Sequence, residues 1–313
     1  MQEPTVCILL AARNGEAFIR QQIESVLSQD HPELQLILSD DGSEDETAEI
    51  LARYGASFPE RVTCYQSGRC FGSAQKHFMH LLTVFNDAPY IMFCDQDDVW
   101  HRDKVRKTLE TIKRIEGDGR VPALVHTDLR VVDRQLSPIA DSFCAYSAIN
   151  GNRLKLNRLL VQNVVTGCTV MINRPLAELA CAAVPEYGLI MHDWWLALLA
   201  SACGRAGFLN EATVDYRQHE GNSVGAKKVY SAAYLRERLT SQRKMRDALT
   251  DTAVQAEAFL HCYEAYLTPK QAQLLRAFAA TKELGTIRRD AVYLRFGLLK
   301  DGLLRLIPQL LGM

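Results

Sequence analysis

The first hundred residues alternate short apolar runs with stretches of helical spacing, and few folds accommodate that rhythm. Thr5 to Ala12 (TVCILLAA) is a nearly continuous apolar run, followed by helical spacing through Phe18, Ile19, Ile23, Val26 and Leu27. Leu34 to Leu38 predicts a second strand, and Ser43 with Glu46 three residues on predicts a capping box opening a helix toward Tyr54. Arg61 to Gln66 predicts a third strand, Phe71 to Phe85 a helix, and Tyr90 to Cys94 a fourth buried strand before a helix over Lys104 to Ile115. Further strands are expected around Leu124 to Val132 and Val164 to Ile172, with a helix from about Asp193 to Cys203 and a wholly helical pattern after Gly225. Strands alternating with helices imply an α/β fold, a mostly parallel sheet with helices on both faces. In such sheets ligands bind beyond the carboxyl ends of the strands, so the residues that follow each strand carry the functional expectation.

The second strand runs into Asp40, Asp41, Gly42 and Ser43, and the fourth into Asp95, Gln96, Asp97 and Asp98. Crowded carboxylates near a partly desolvated crevice repel one another unless a cation compensates them. Oxygen-only ligands select Mg²⁺ or Mn²⁺, with the remaining coordination supplied by water and substrate phosphates. Helix capping would account for Asp98 or Asp103 alone, but three carboxylates in four residues exceed what a cap needs. In the earlier cluster Gly42 and Ser43 make a turn; one Asp suffices for structure, and the other, Asp41, suits a base N–H. Met191-His192-Asp193-Trp194-Trp195 places an acid and two aromatics at a helix start, a pairing suited to stacking on a sugar and taking a hydroxyl proton. The alternative is an N-cap with core tryptophans. His219 lies on a polar, glycine-containing segment beyond the last strand and suits a metal ligand or phosphate contact.

Other chemistries are poorly served. Gly221-Asn222-Ser223-Val224-Gly225 spells a nucleophile elbow, but only His261, inside a helical stretch, follows it. Ser73 to Lys76 and Ser241 to Lys244 spell SxxK without the partner motifs. Neither a GxGxxG nor a P-loop is present, which argues against dinucleotide enzymes and P-loop NTPases. A metal-dependent nucleotidyltransferase or phosphohydrolase would want a basic phosphate-gripping loop near the first strand, where only Arg13 stands. A non-catalytic carbohydrate-binding scaffold would explain the tryptophans but not the acidic cluster.

The 313 residues, 48% of them apolar, allow one large domain or a domain with an appendage. Net charge is only -1, yet from Ala226 onward 15 Lys and Arg face 8 Asp and Glu. That asymmetry divides the chain into residues 1–225 and a basic helical region, 226–313. Nine scattered cysteines with no CxxC read as reduced thiols of a cytoplasmic protein. No stretch approaches the roughly 18 apolar residues of a membrane span, and the start leads straight into a strand, so neither a signal peptide nor a transmembrane helix is expected.

The run VCILLAARNGEAFIRQQIESVLSQ, then LSDDGSEDET, FGSAQKHF, YIMFCDQDDVW, LVHTDLRVVD, QNVVTGCTVMINR, MHDWWLAL and YRQHEGNSVG resembles family 2 glycosyltransferases, in particular rhamnosyltransferases of bacterial surface polysaccharides. The resemblance covers about residues 5–227 in the family's order. It implies a GT-A nucleotide-sugar-binding domain and an inverting single displacement, with dTDP-L-rhamnose, or on the same scaffold a UDP- or GDP-linked hexose, as donor and a lipid-linked or oligosaccharide acceptor. Carried over, Asp193 is the general base; Asp97, Asp98 and His219 are the metal site; Ala12, Arg13, Asn14, Asp41, Gly72, Lys76, Asp95, Gln96 and Asp97 hold the nucleotide sugar; and Thr166, Gly167, Trp194 and Trp195 face the acceptor. Two positions depart from the family. Arg13 stands where an aromatic usually stacks on the base, a role that a guanidinium can also fill, and His192 replaces the acid that usually precedes the base.

In the tail, Val292, Phe296, Leu299, Leu303, Leu306 and Leu310 recur at spacings of 4, 3, 4, 3 and 4 and predict one amphipathic helix, limited by Pro308. Its stripe suits docking on the catalytic domain, on a second subunit, or on the anionic cytoplasmic face of a membrane. Nucleic acid is not expected as a partner, since Tyr230, Tyr234, Tyr263, Tyr266 and Tyr293 look like helix packing.

Overall fold

A computed structural model describes residues 3–220 and 242–311. The Gly221 to Gly225 segment, Tyr230, Tyr234, Ser241 and the division between 225 and 226 lie outside the described residues.

The expected rhythm forms. Strand β1 (Val6–Ala12) is flanked by β2 (Leu34–Asp40) and β4 (Tyr90–Cys94), and β3 (Val62–Tyr65) extends the sheet beyond β2, all four running parallel. Between them lie α1 (Ile19–Leu27), α2 (Thr47–Ser57) and α3 (Ala74–Val84), and α4 (Lys104–Glu116) follows the short β5 (Val99–Trp100). Then come β6 (Ala123–Val132), β7 (Pro138–Ala140), the single turns α5 (Phe143–Tyr146) and α6 (Leu156–Leu159), β8 (Met171–Asn173), α7 (Arg174–Ala182), α8 (His192–Cys203) and β9 (Arg205–Arg217). Sheet order is β3-β2-β1-β4-β8-β6-β9-β5, with β7 paired to β6. Among the described residues only β8, β5 and β7 pair antiparallel, so the sheet is mixed but mostly parallel. Side chains alternate across β1: Val6, Ile8, Leu10 and Ala12 enter the core under α1 and α4, while Cys7 and Leu9 enter the opposite one. Both faces are buried, which is why these strands read as unbroken apolar runs.

Four local expectations change. Ser43 and Glu46 do not cap α2: Ser43 Oγ donates to Asp40 and accepts the Asn14 amide, while Asp45 Oδ1 accepts the Thr47 amide at 3.0 Å. Helix α3 begins at Ala74 rather than Phe71, because the amides of Phe71 and Gly72 are taken by the Asp41 carboxylate and Gly72 has φ +71°. The apolar stretch from Val164 yields only the three-residue β8; Gly167–Thr169 is a 3₁₀ turn closed by Thr169 N to Thr166 O at 2.9 Å. The tail is not one helix. After α9 (Gln242–Tyr263) and α10 (Pro269–Ala279), α11 (Thr286–Phe296) stops at Gly297, in the left-handed region at φ +63°, and α12 (Leu303–Leu311) starts afresh. The break turns Leu298 into the core and leaves Leu303 70% exposed.

The C-terminal helices share a core with the sheet. Trp195 is fully buried, its ring 5.3 Å from Phe259 in a T-shaped contact and its Nε1 3.4 Å from the Tyr263 hydroxyl, which donates to Ala183 O at 2.9 Å. Phe278, Tyr293 and Leu298 join the same cluster.

At the α8–β9 junction, a Cβ on Gly204 would lie 1.9 Å from the carbonyl oxygen of Pro122, which also accepts the Arg205 amide that starts β9. Backbone cannot yield as a flexible side chain can. Gly204→Ala is expected to cost about 1–3 kcal/mol, read as a lowered urea midpoint with an unchanged slope.

Candidate active site

A cavity of about 740 Å³ opens beyond the carboxyl ends of β1, β2 and β4, where parallel packing brings their following loops together. Two side chains join these loops. Gln96 exchanges hydrogen bonds with the Arg13 backbone, accepting from Arg13 N at 2.8 Å and donating to Arg13 O at 2.9 Å. Asn14, at φ +50°, donates its amide to Ser43 Oγ at 2.8 Å and accepts the Glu44 amide at 2.8 Å.

Of the first acidic pair, Asp40 closes the turn by accepting the amides of Gly42 and Ser43. Asp41 is buried on the cavity wall, accepts the Gly72 amide at 2.9 Å and has the Arg13 guanidinium 4.0 Å away. In the second cluster Asp95 and Asp97 line the cavity, and His219 Nε2 lies 2.8 Å from Asp97 Oδ2 with its ring 4.8 Å from Phe18. Burial and the neighbouring Asp97 and Asp193 raise the Asp95 pKa to about 7. Asp98 is fully buried behind the cavity wall, its Oδ1 accepting the Arg217 amide at 3.0 Å. Burial holds its carboxyl well above the usual range.

Asp193 occupies the first turn of α8, whose N-cap is Met191 rather than Asp193 itself. Its Oδ1 accepts the Trp194 amide at 2.6 Å and Asn163 Nδ2 at 3.4 Å. Burial outweighs these bonds and raises its pKa to about 7. His192 packs between Phe78 and Phe93 with ring centroids 4.5 and 5.0 Å away, and burial lowers its pKa to about 3, so it stays neutral beside the base. Gly167 must be glycine here: a Cβ would lie 2.9 Å from His192 Nε2.

Of the residues expected from sequence, Ala12, Arg13, Asp41, Gly72, Asp95, Gln96, Asp97, Thr166, Gly167, Asp193 and Trp194 meet on this one cavity. Trp194 is fixed there by its Nε1, which donates to Leu159 O at 2.6 Å. The others stand elsewhere. Trp195 is core, because the residue after Trp194 on a helix points about 100° away. Lys76 is exposed on α3, and Asn14 ties loops together from outside the cavity. His219 reaches the site through Asp97. The sequence reading missed Asn163, which positions Asp193, and Arg217; both sit inside quoted motifs, but amide and guanidinium side chains give no periodicity signal. Arg305, from the far C-terminus, was also missed although it lines the cavity.

The sequence pattern of glycosyl transferase family 2 matches residues 7–179. The chain belongs to this family. It is 26% identical to the dTDP-rhamnosyl transferase RfbG of Shigella flexneri over 259 residues, 78% of this chain and 83% of that protein. Among solved structures it resembles S. aureus TarS 1-349 in complex with UDP-GlcNAc, with a TM-score of 0.56 at 16% identity over 92% of this chain and 83% of that one. It also resembles the mannosyltransferase PcManGT of Pyrobaculum calidifontis in complex with GDP-Man and Mn²⁺, with a TM-score of 0.53 at 17% identity over 95% and 80% of the two chains. The fold is therefore GT-A, and this family 2 glycosyltransferase carries its acidic cavity at the strand ends.

Asp193 has a testable thermodynamic signature. Its folded pKa of about 7 exceeds the ordinary unfolded value of about 3.9, so the folded state holds the proton more tightly and stability falls as pH rises between those values. Asp193→Asn removes that loss, on the order of 4 kcal/mol at most. The variant's Tm should exceed the wild type's at pH 8 by more than it does at pH 5; an equal difference at both would place the carboxylate in solvent.

Proposed function

We propose that this glycosyltransferase moves L-rhamnose from dTDP-L-rhamnose, with inversion, onto a hydroxyl of a growing surface polysaccharide. The observation that carries the reading is that one cavity joins the loops suited to a nucleotide sugar to the buried carboxylate of Asp193, whose pKa is raised to about 7. A base with that pKa is about half deprotonated at neutral pH and basic enough to take a hydroxyl proton as the bond forms. The rhamnosyl assignment is supported by the likeness to RfbG.

The donor's base would rest against Arg13 and Asp41, and its diphosphate near Asp95 and Asp97. The carboxyl-rich set fits a hard divalent cation: Asp95 and Asp97 face the cavity with a neutral-range pKa at Asp95 that a cation would lower. Asp97, with His219 at its other oxygen, would hold Mg²⁺ or Mn²⁺, and Asp98 serves instead as the anchor beneath it. The trio Asp95, Asp98 and Cys168, whose potential ligand atoms lie within 4.8 Å of one another, suits such a cation less, because burial keeps the thiol protonated. When bound, the cation neutralises charge on the departing nucleoside diphosphate. Asp193 takes the proton of the acceptor hydroxyl, whose oxygen attacks the anomeric carbon from the face opposite the diphosphate. Asn163 and the Trp194 amide hold the carboxylate, and Trp194 offers the acceptor ring an apolar face. Holding donor and acceptor in line removes much of the entropic barrier.

A lipid-linked acceptor at the cytoplasmic face of a membrane completes the proposal. No described helix is long and apolar enough to cross a membrane. Ile287, Leu294, Leu303 and Ile307 stand exposed on α11 and α12, apolar surface suited to peripheral contact.

Calorimetric titration with dTDP, UDP and GDP, each with Mn²⁺ or EDTA, tests base and metal together. Tight Mn²⁺-dependent binding of dTDP is expected; preference for UDP or GDP would keep the mechanism and overturn the sugar. Asp97→Ala should weaken the Mn²⁺-dependent binding by about tenfold or more, and unchanged affinity would remove Asp97 from the metal site. Asp193→Asn should bind dTDP normally while transfer falls by roughly 10²–10⁴-fold.

A further inference from the structure

The cavity does not end at Trp194. A second cavity of about 270 Å³ adjoins it, and Gln162, Asn163, Ile190, Trp194 and Arg305 line both. Its far wall comes from the C-terminal helices, through Asp251 and Thr252 on α9 and Lys300 ahead of α12. Val161, Ile190 and Trp194 supply apolar surface, and amide, hydroxyl, carboxylate and cationic groups surround it. A pyranose ring has that character: a C–H face to lie on carbon and a rim of hydroxyls to meet donors and acceptors. An acyl chain would bring neither donors nor acceptors to that polar rim.

The wall is built rather than incidental. Gln162 Oε1 accepts the Asp301 amide at 2.7 Å, and Asp301 Oδ2 accepts the Asn150 amide at 2.8 Å. Arg305 Nη1 donates to Ala148 O at 2.6 Å, and its guanidinium also reaches Ser147 O. Arg153 donates to Leu299 O, and Asn157 Nδ2 to Phe296 O at 3.0 Å. The segment 297–305 is thus stitched to the strip 147–163, whose Asn163 holds Asp193. The C-terminal helices are fixed relative to the base by hydrogen bonds, not by packing alone.

We propose that the second cavity is a second acceptor subsite. The sugar bearing the attacking hydroxyl lies at Asp193 against Trp194, and the sugar before it in the chain lies between Gln162 and the wall of Asp251, Thr252 and Lys300. The C-terminal helices thereby select an acceptor of at least two sugars over a single sugar. This rests on the reading of Asp193 as the base of a glycosyl transfer.

The test compares kcat/KM for p-nitrophenyl glycosides of L-rhamnose, D-glucose, D-galactose and N-acetyl-D-glucosamine with that for the p-nitrophenyl disaccharides built from them, using the full chain and its preferred nucleotide sugar. The best disaccharide should exceed the best monosaccharide by about tenfold or more, the worth of one or two hydrogen bonds. Asp251→Ala and Lys300→Ala should each lower that ratio by about fivefold, and calorimetric titration with the nucleoside diphosphate identifies any variant that fails to fold. Equal efficiency toward both acceptor lengths, or a ratio unmoved in both well-folded variants, overturns the second subsite and leaves the transferase reading standing. Transfer to neither length overturns both.

Discussion

Arg217 decides whether the acidic crevice can exist. Its backbone amide donates to Asp98, its Nε to the carbonyl of Asp97 at 2.7 Å, and its terminal nitrogens to Arg134 O and Gln21 Oε1. The guanidinium also sits over the Phe18 ring, 4.7 Å from its centroid. One buried cation at the end of β9 thereby fixes the loop after β4, the start of α1 and, two residues on, His219. Lys104 adds a second buried cation near Asp98, its pKa lowered to about 8 by burial. These counter-charges and the raised pKa values of Asp95 and Asp98 together let the carboxyls that follow β4 be held out of water.

Burial then divides labour among side chains of similar chemistry. Asp40 and Asp41 are adjacent, yet one closes a turn and the other faces the cavity. Asp97 and Asp98 are adjacent, yet one meets His219 at the surface of the site and the other lies beneath it. Among the described residues no cation contributes to the titration of Asp193, so desolvation dominates it and gives a base that works near neutrality. His192, enclosed by two phenylalanine rings, contributes shape without charge.

The C-terminal helices are part of the same object. Trp195, expected at the acceptor, instead links α8 to Phe259 and Tyr263, so the core of the sheet continues into α9. The spacing of apolar residues in the tail was legible, but spacing cannot report a chain reversal. Gly297 and Gly302, both at positive φ, divide the apparent stripe and fold it back onto the strip 147–163.

Strand and helix identities, the mostly parallel sheet and the loops that carry function were determined by sequence alone, because period and burial are local properties repeated over several residues. So was the placement of Asp41, Asp95 and Asp97, since each follows a buried parallel strand whose loop opens on the same edge of the sheet, while Asp193 reaches the cavity from the first turn of α8. Tertiary structure alone decided which of two neighbouring side chains faces the cavity, as with Asp97 against Asp98 and Trp194 against Trp195. It alone raised Asp193 toward neutrality and brought Arg305 to within the same cavity. Those outcomes depend on desolvation and on contacts between residues more than a hundred positions apart, and no local pattern encodes either.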